Sequence, residues 1–124
     1  MTIAYLCIVI STFIPICCAG YAKFSTKGYN NRSPREFLAS LEGAGKRANF
    51  AQQNFYETFP AFAVGVVVAH LMEAAQWKID FAAVIYVTGR VLYAVLYITD
   101  QHMLRSTAWA VAFGATIALY FIGA

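Results

Sequence analysis

The longest part of the sequence without a charged side chain is its first apolar segment, from Ile3 to about Ala22. A helix of about 20 apolar residues covers roughly 30 Å, which is the thickness of a bilayer's hydrocarbon core. No Lys or Arg precedes the segment, and it is longer than the apolar core of a usual signal peptide. We therefore interpret it as a permanent membrane helix rather than a cleaved leader.

The composition of the whole chain agrees with this interpretation. Of the 124 residues, 60% are hydrophobic and 12% are charged, whereas soluble domains carry about 25% charged residues. Backbone groups in hydrocarbon must be hydrogen-bonded within a helix or a closed barrel, and the alternating pattern of barrel strands is absent. The sequence therefore predicts an all-α membrane protein. Its net charge of +3 lies largely in one loop and does not indicate a nucleic-acid partner.

Three further apolar segments predict a bundle of four transmembrane helices, folded as one domain over residues 1–124. The predicted spans cover about residues 3–22, 50–77, 79–99 and 106–121, with a cytoplasmic loop at 23–46. Counted to the start of the second helix, the loop carries Lys23, Lys27, Arg32, Arg35, Lys46 and Arg47 against Glu36 and Glu42. The positive-inside rule places this loop in the cytoplasm and both termini on the opposite side.

Shorter signals refine the predicted bundle. Pro15 predicts a kink in the first helix and Pro60 a bend in the second, which begins near Lys46. A tight turn at 78–80 predicts that the second and third helices are antiparallel neighbours, and 100–105 is expected to be a short loop. Pro34 predicts a short helix within the cytoplasmic loop, ended by the glycines that follow it.

The three cysteines all fall in the first apolar segment, and no CxxC pair occurs. An odd number of cysteines in lipid does not indicate a disulfide framework. We interpret them as small apolar residues at helix contacts, and we predict no metal site.

Polar residues form one stripe on the second predicted helix and another on the third. At about 100° per residue, residues seven apart return to the same side of a helix. The two stripes are Arg47, Asn54 and Glu57 on the second helix, and Arg90, Tyr93 and Tyr97 on the third. Because the helices are antiparallel, both stripes are expected in the cytoplasmic half, facing each other.

A carboxylate inside a membrane helix is energetically costly unless an opposite charge pairs with it, and the expected partner of Glu57 is Arg90. Such an ion pair could simply fix the register of two helices. The alternative is a pocket that opens to the cytoplasm and binds an anionic, partly peptide-like ligand. We favour the pocket, because an ion pair alone requires neither the tyrosines nor the further cations. Tyrosine or arginine could also stabilise a thiolate there.

The spacing of these residues resembles the MAPEG family, the membrane-associated proteins of eicosanoid and glutathione metabolism, in a short bacterial form. The resemblance lies in Arg47-Ala48, Asn54-x-x-Glu57-x-x-Pro60 and Arg90-x-x-Tyr93-x-x-x-Tyr97, followed by Arg105 and Trp109. It covers the chain from about Gly43 to the C-terminus. It implies a four-helix bundle that assembles as a homotrimer, with glutathione held between neighbouring subunits.

The resemblance also implies a function. It suggests a glutathione-dependent transferase or peroxidase that acts on lipophilic electrophiles, with glutathione as co-substrate and membrane lipid as a partner. The implied substrate-binding residues are Arg47, Asn54, Glu57, Arg90, Tyr93 and Tyr97, and the implied catalytic residues are Arg105 and Tyr93. The expected location is the bacterial inner membrane. One departure is Phe50, which stands where well-studied glutathione users carry an arginine.

Two other functions remain open at the level of sequence. A non-catalytic lipid-binding or scaffolding protein of the same fold would be consistent with Phe50. A small proton-coupled exporter would also have four spans and one membrane carboxylate. Exporters of that class place the carboxylate in the first span, which has no charge here.

Overall fold

The computed structural model describes all 124 residues and contains helices and no β-strand. The helices are α1 (Ile3–Ser11), α2 (Phe13–Phe24), α3 (Pro34–Ala39), α4 (Gly43–Leu71), α5 (Gln76–Ile98) and α6 (His102–Phe121). The all-α prediction is confirmed. We call the end of the bundle that carries α3 the α3 end, and the end that carries the N-terminus and the α4–α5 turn the far end.

Three helical segments are long enough and apolar enough to cross a membrane. They are Ile3–Phe24, Gln76–Ile98 and His102–Phe121. α4 is longer, at 29 residues, but its first half carries charged and amide side chains. By length and composition, α4 is therefore not among the candidate membrane spans.

The α4–α5 connection lies earlier in the chain than the sequence suggests. α4 ends at Leu71 rather than near 77, and residues 78–80 lie inside α5 rather than in a turn. The reason is Glu73, whose backbone is left-handed at φ 55°. The N–H groups of Glu73 and Ala74 bond back to the carbonyls of His70 and Ala69, at 3.0 and 3.1 Å, which is the Schellman ending of a helix.

The α3 end is also more helical than expected. The short helix starting at Pro34 is confirmed, but Gly43 and Gly45 belong to the start of α4 rather than to the end of α3. α6 begins at His102, which shortens the expected loop at 100–105. Gly45 is buried, and a Cβ there would collide with the Ser25 side chain of the loop that follows α2. This glycine therefore allows α4 to lie close to the end of α2.

The predicted kink in the first long segment appears as a break between α1 and α2 at Thr12. Pro15 has no N–H to offer the carbonyl of Ser11, four residues earlier. The Ser11 hydroxyl is itself turned back to the carbonyl of Cys7 at 2.7 Å. α1 packs on α5, whereas α2 packs on α4, so the break lets one apolar segment follow two neighbours.

Close packing of α5 against α6 forms the wall behind the central polar residues. A Cβ on Gly89 would lie 3.1 Å from the Cβ of Ala112 and 3.3 Å from the carbonyl oxygen of Ala108. Glycine at this position lets the two helices approach closely beside Arg90. On the other side, the rings of Phe62 and Tyr86 stack at 3.7 Å with an interplanar angle of 6°, which ties α4 to α5.

Candidate functional site

The central residue of the site is Arg90, which lies in the interior of α5 with only 2% of its surface exposed. Its Nη2 donates a hydrogen bond of 3.0 Å to Oδ1 of Asn54 on α4. The polar stripes of the two helices therefore meet, as the sequence predicts. An arginine is always charged, and desolvating it without an opposite charge is expensive.

The expected ion pair between Glu57 and Arg90 is not formed. Asn54 occupies the position of partner, and the Glu57 side chain is exposed on the surface of α4. The physical reason is helical geometry, because a step of three residues turns the side chain by about 300°, or 60° away from Asn54. The prediction placed both residues on one stripe, and only Asn54 points at Arg90.

Arg90 is the first member of a row of stacked side chains, which we call the aromatic ladder. Its Cζ lies 4.3 Å from the centroid of the Tyr93 ring. The Tyr93 and Tyr97 rings meet edge to face with centroids 5.6 Å apart. Cζ of Arg105, on α6, lies 4.2 Å from the centroid of the Tyr97 ring. Cation–π contacts at these distances hold both guanidinium groups in place.

The ladder carries positive charge at both ends and contains no carboxylate. Tyr93 is 6% exposed, whereas Tyr97 and Arg105 are partly exposed. The ladder thus runs from the buried centre of the bundle toward the α3 end and becomes more accessible on the way. Such a row presents two guanidinium groups to an anion, and its Arg105 end is the more accessible one.

Arg47 lies at the edge of this region rather than in the ladder. Its Nε donates a hydrogen bond of 3.1 Å to the carbonyl of Ile98, at the C-terminal end of α5. A cation there is stabilised by the unpaired carbonyls of a helix end. Arg47 and Asn54 thus both face α5, as the predicted stripe requires, and Arg47 has a structural partner of its own.

Phe50 lies beside the accessible part of the ladder. Its ring centroid is 6.5 Å from that of Tyr97, and the Nζ of Lys46 lies 5.8 Å from the same Phe50 ring. An arginine at position 50 would therefore begin beside the exposed part of the ladder. Position 50, where this sequence has phenylalanine instead of arginine, therefore lies within the site.

Two residues that the sequence interpretation did not include belong to this centre. Tyr86 precedes Arg90 by four residues and so shares its side of α5, and Thr58 follows Asn54 by four residues on α4. Both side chains line a small cavity next to the Arg90 guanidinium. The i, i+4 spacing could have identified them, although nothing in the sequence shows that the Tyr86 hydroxyl is buried without a partner.

Comparison with known proteins identifies one family. The sequence model of the MAPEG family matches residues 1–124, the whole chain. Searches of curated proteins and of solved structures find no match. The match extends beyond the part from about Gly43 onward that carries the motifs, and it includes the first apolar segment.

Proposed function

Because the chain belongs to the MAPEG family, we propose that it is an integral membrane enzyme that joins glutathione through its sulfur to lipophilic electrophiles or uses glutathione to reduce lipophilic peroxides. The family includes glutathione transferases and related proteins. The observation that carries the proposal is the aromatic ladder from Arg90 to Arg105, with two guanidinium groups and no carboxylate. This arrangement suits a ligand that brings negative charge with it.

Glutathione matches the polar groups of the site. It is a tripeptide with two carboxylates, an ammonium group and a thiol. Oδ1 of Asn54 already accepts from Arg90, so the NH₂ group of Asn54 is left to donate to a ligand carbonyl or carboxylate. Glu57, exposed one turn further along α4, is free to pair with the ammonium group.

The proposed chemistry depends on a thiolate. Arg105 lies at the accessible end of the ladder, where its positive charge would favour the ionised form of the glutathione sulfur, and the Tyr93 hydroxyl would donate a hydrogen bond to it. The thiol proton leaves to water, and the sulfur uses its electron pair to form a bond to an electrophilic carbon. The displaced group departs with its own bonding pair. We propose Arg105 and Tyr93 as the catalytic residues.

We further propose that α4 provides a fourth membrane span and that three chains assemble around the site. The large apolar side chains that are exposed on the single chain support contact with lipid and with other copies. They include Phe13, Ile16, Tyr56, Phe81, Leu92 and Phe113. The cationic α3 end would face the cytoplasm, with both termini on the opposite side of the bacterial inner membrane.

The test is the affinity for glutathione, measured by calorimetry on the protein in lipid nanodiscs. We expect saturable binding by the wild type and a clear loss in Arg105→Ala. Arg32→Ala is a matched control, because Arg32 is an exposed arginine of the loop outside the ladder. If the wild type binds neither glutathione nor any glutathione conjugate, the proposal is wrong.

A second candidate is a protein of the same fold that binds lipid without catalysis. Two apolar grooves on the surface favour it. One of about 460 Å³ lies between α5 and α6, and one of about 420 Å³ lies between the first apolar segment and α5. This alternative predicts that lipid co-purifies with the protein and that glutathione does not displace it or bind beside it.

A further inference from the structure

A small polar chamber lies beside Arg90, between α4, α5 and α6. Its volume is about 10 Å³, which is about the space that one water molecule needs. Polar side chains from all three helices line it, namely Thr58, Tyr86, Arg90, Trp109 and Thr116.

Two hydrogen-bond donors that line the chamber have no partner in the protein with hydrogen-bond geometry, and one of them, the Tyr86 hydroxyl, lies close to the hydroxyl of Thr58. The two donors are the hydroxyl of Tyr86 and Nε of Arg90. The two side chains are 1% and 2% exposed, so bulk water does not reach either atom. A buried donor without an acceptor is strongly unfavourable, and native proteins almost always provide one.

Two threonines supply acceptors on the opposite walls. The Thr58 hydroxyl donates within α4, to the carbonyls of Asn54 and Phe55 at 3.3 Å each. The Thr116 hydroxyl donates within α6, to the carbonyl of Ala112 at 3.0 Å. Since each hydroxyl hydrogen is committed to its own helix, each threonine oxygen keeps lone pairs that can only accept.

Two donors and two acceptors around a water-sized space match one water molecule, which accepts two hydrogen bonds and donates two. We propose that a single ordered water in this chamber links Tyr86 and Arg90 to Thr58 and Thr116. The link fixes the plane of the Arg90 guanidinium, which in turn holds Oδ1 of Asn54. Tyr86 and Thr116 are therefore positioning residues for the Arg90–Asn54 pair.

The walls of the chamber are rigid enough for this role. The Tyr86 ring is stacked on Phe62 of α4. The Trp109 ring is stacked on Phe113 along α6, with centroids 5.0 Å apart and an interplanar angle of 10°. Aromatic stacking on both sides limits the rotation of the side chains that enclose the water.

The water is tested directly by nuclear magnetic resonance of the protein in nanodiscs with ¹⁵N-labelled arginine. The Nε–H signal of Arg90 is assigned as the one that disappears in Arg90→Lys. We expect this signal to exchange slowly with solvent and to show magnetisation transfer from a bound water. An Nε–H in the unmodified protein without any transfer from water would overturn the proposal; only the assignment uses a variant, and the transfer itself is measured on the unmodified protein.

Variants identify the partners of the water. Tyr86→Phe and Thr116→Val each remove one partner and keep the side-chain shape, so both should move the Arg90 Nε–H resonance. Thr107→Val is the matched control, because Thr107 also donates to a carbonyl of α6 but lines the apolar groove instead of the chamber. If Tyr86→Phe and Thr116→Val shift the Arg90 Nε–H resonance no more than Thr107→Val does, the proposed link is wrong.

The positioning role rests on the proposed glutathione function and has its own measurement. Loss of one hydrogen bond that holds Arg90 should weaken glutathione binding by about three- to tenfold in Tyr86→Phe and Thr116→Val. Thr107→Val should bind like the wild type. Equal affinity in all four proteins would overturn the positioning role. Water transfer in a wild type that binds no glutathione would instead support the chamber and refute the proposed function.

Discussion

The far end and the centre of the bundle both contain polar side chains from several helices, but the hydrogen bonding of these groups differs. At the far end, Oδ1 of Asp80 accepts hydrogen bonds of 2.9 Å from the backbone N–H of Ala4 and from the side chain of Gln76. At the centre, Arg90 has one hydrogen-bond partner for its guanidinium and a Nε without any.

The far end shows what a structural polar cluster looks like in this fold. His70 Nδ1 lies 2.8 Å from the carbonyl oxygen of Val66, so Nδ1 is the nitrogen that donates to this carbonyl. Nε2 lies 3.4 Å from the Thr2 hydroxyl, and the ring stacks on Tyr5 at 4.2 Å. The Asp80–Ala4 hydrogen bond ties α1 to α5, and the Tyr5–His70 stack ties α1 to α4, while the His70–Val66 and Gln76–Asp80 bonds lie within single helices.

Both regions contain polar groups, and what separates the far-end cluster from the Arg90 centre is whether those groups have hydrogen-bond partners within the protein. A satisfied cluster stabilises the bundle and needs nothing further. An unneutralised guanidinium in a dry interior lowers stability unless a ligand or assembly completes it. Substitutions at the far end and at the centre should therefore change different properties.

The largest effect is expected for Arg90→Met. Removing the charge-assisted hydrogen bonds of the guanidinium should reduce glutathione affinity by about ten- to a hundredfold. The free energy of unfolding should stay the same or rise, because a buried and unpaired charge is replaced by an apolar chain. Calorimetry and thermal unfolding in nanodiscs measure the two properties, with Arg32→Met as the control. A large loss of stability would place Arg90 with the structural cluster and break the division.

Asp80→Ala is expected to have the opposite profile. It removes the acceptor at the start of α1 and should cost about 1–2 kcal/mol of unfolding free energy, as the loss of a helix cap does. Glutathione affinity should not change, because Asp80 lies at the far end. Asp80→Asn keeps Oδ1 as an acceptor and should lose less stability. A drop in affinity with unchanged stability in Asp80→Ala would show that the far end serves the ligand.

Phe50→Arg should raise glutathione affinity by adding a ligand contact beside the aromatic ladder. The new arginine side chain would start beside Tyr97, because the ring centroids of Phe50 and Tyr97 are now 6.5 Å apart. An additional partly exposed contact to a carboxylate is worth roughly 1 kcal/mol, or about a fivefold gain in glutathione affinity. Phe50→Leu tests for a mere loss of the ring and should show no gain. No difference between the two variants would mean that the ligand does not lie along the ladder.

The sequence predicted the general location of the site better than its internal contacts. Apolar segments and the 100° step per residue were sufficient to bring the α4 and α5 stripes together, since Arg47 and Asn54 both face α5. They could not choose between Asn54 and Glu57 as the partner of Arg90. A carboxylate is the stronger partner in principle, but a difference of 60° around α4 decides which side chain reaches the guanidinium.

Helix ends were predicted less well, for a related reason. Left-handed residues that end helices are usually Gly or Asn, and the chain uses Glu73 and Asp100 instead. The sequence therefore offered no signal at either position, and the α4–α5 turn was placed too late. Tyr86 was missed for a different reason, because its spacing from Arg90 is visible but its burial depends on α6, whose approach Gly89 permits.

The smallest expected effect concerns these two helix ends, which repeat one backbone motif at opposite ends of the bundle. At φ 55° and 62°, both residues carry the steric cost of a Cβ in the left-handed region, which is roughly 1–2 kcal/mol and lower for aspartate. Glu73→Gly should therefore raise the unfolding free energy by about 1 kcal/mol, and Asp100→Gly by only a few tenths. Gln101→Gly, at an ordinary φ of −102°, should gain nothing. If thermal unfolding shows that Asp100→Gly is less stable than the wild type while Glu73→Gly is more stable, contacts of the Asp100 side chain stabilise the α3 end by more than its left-handed backbone costs.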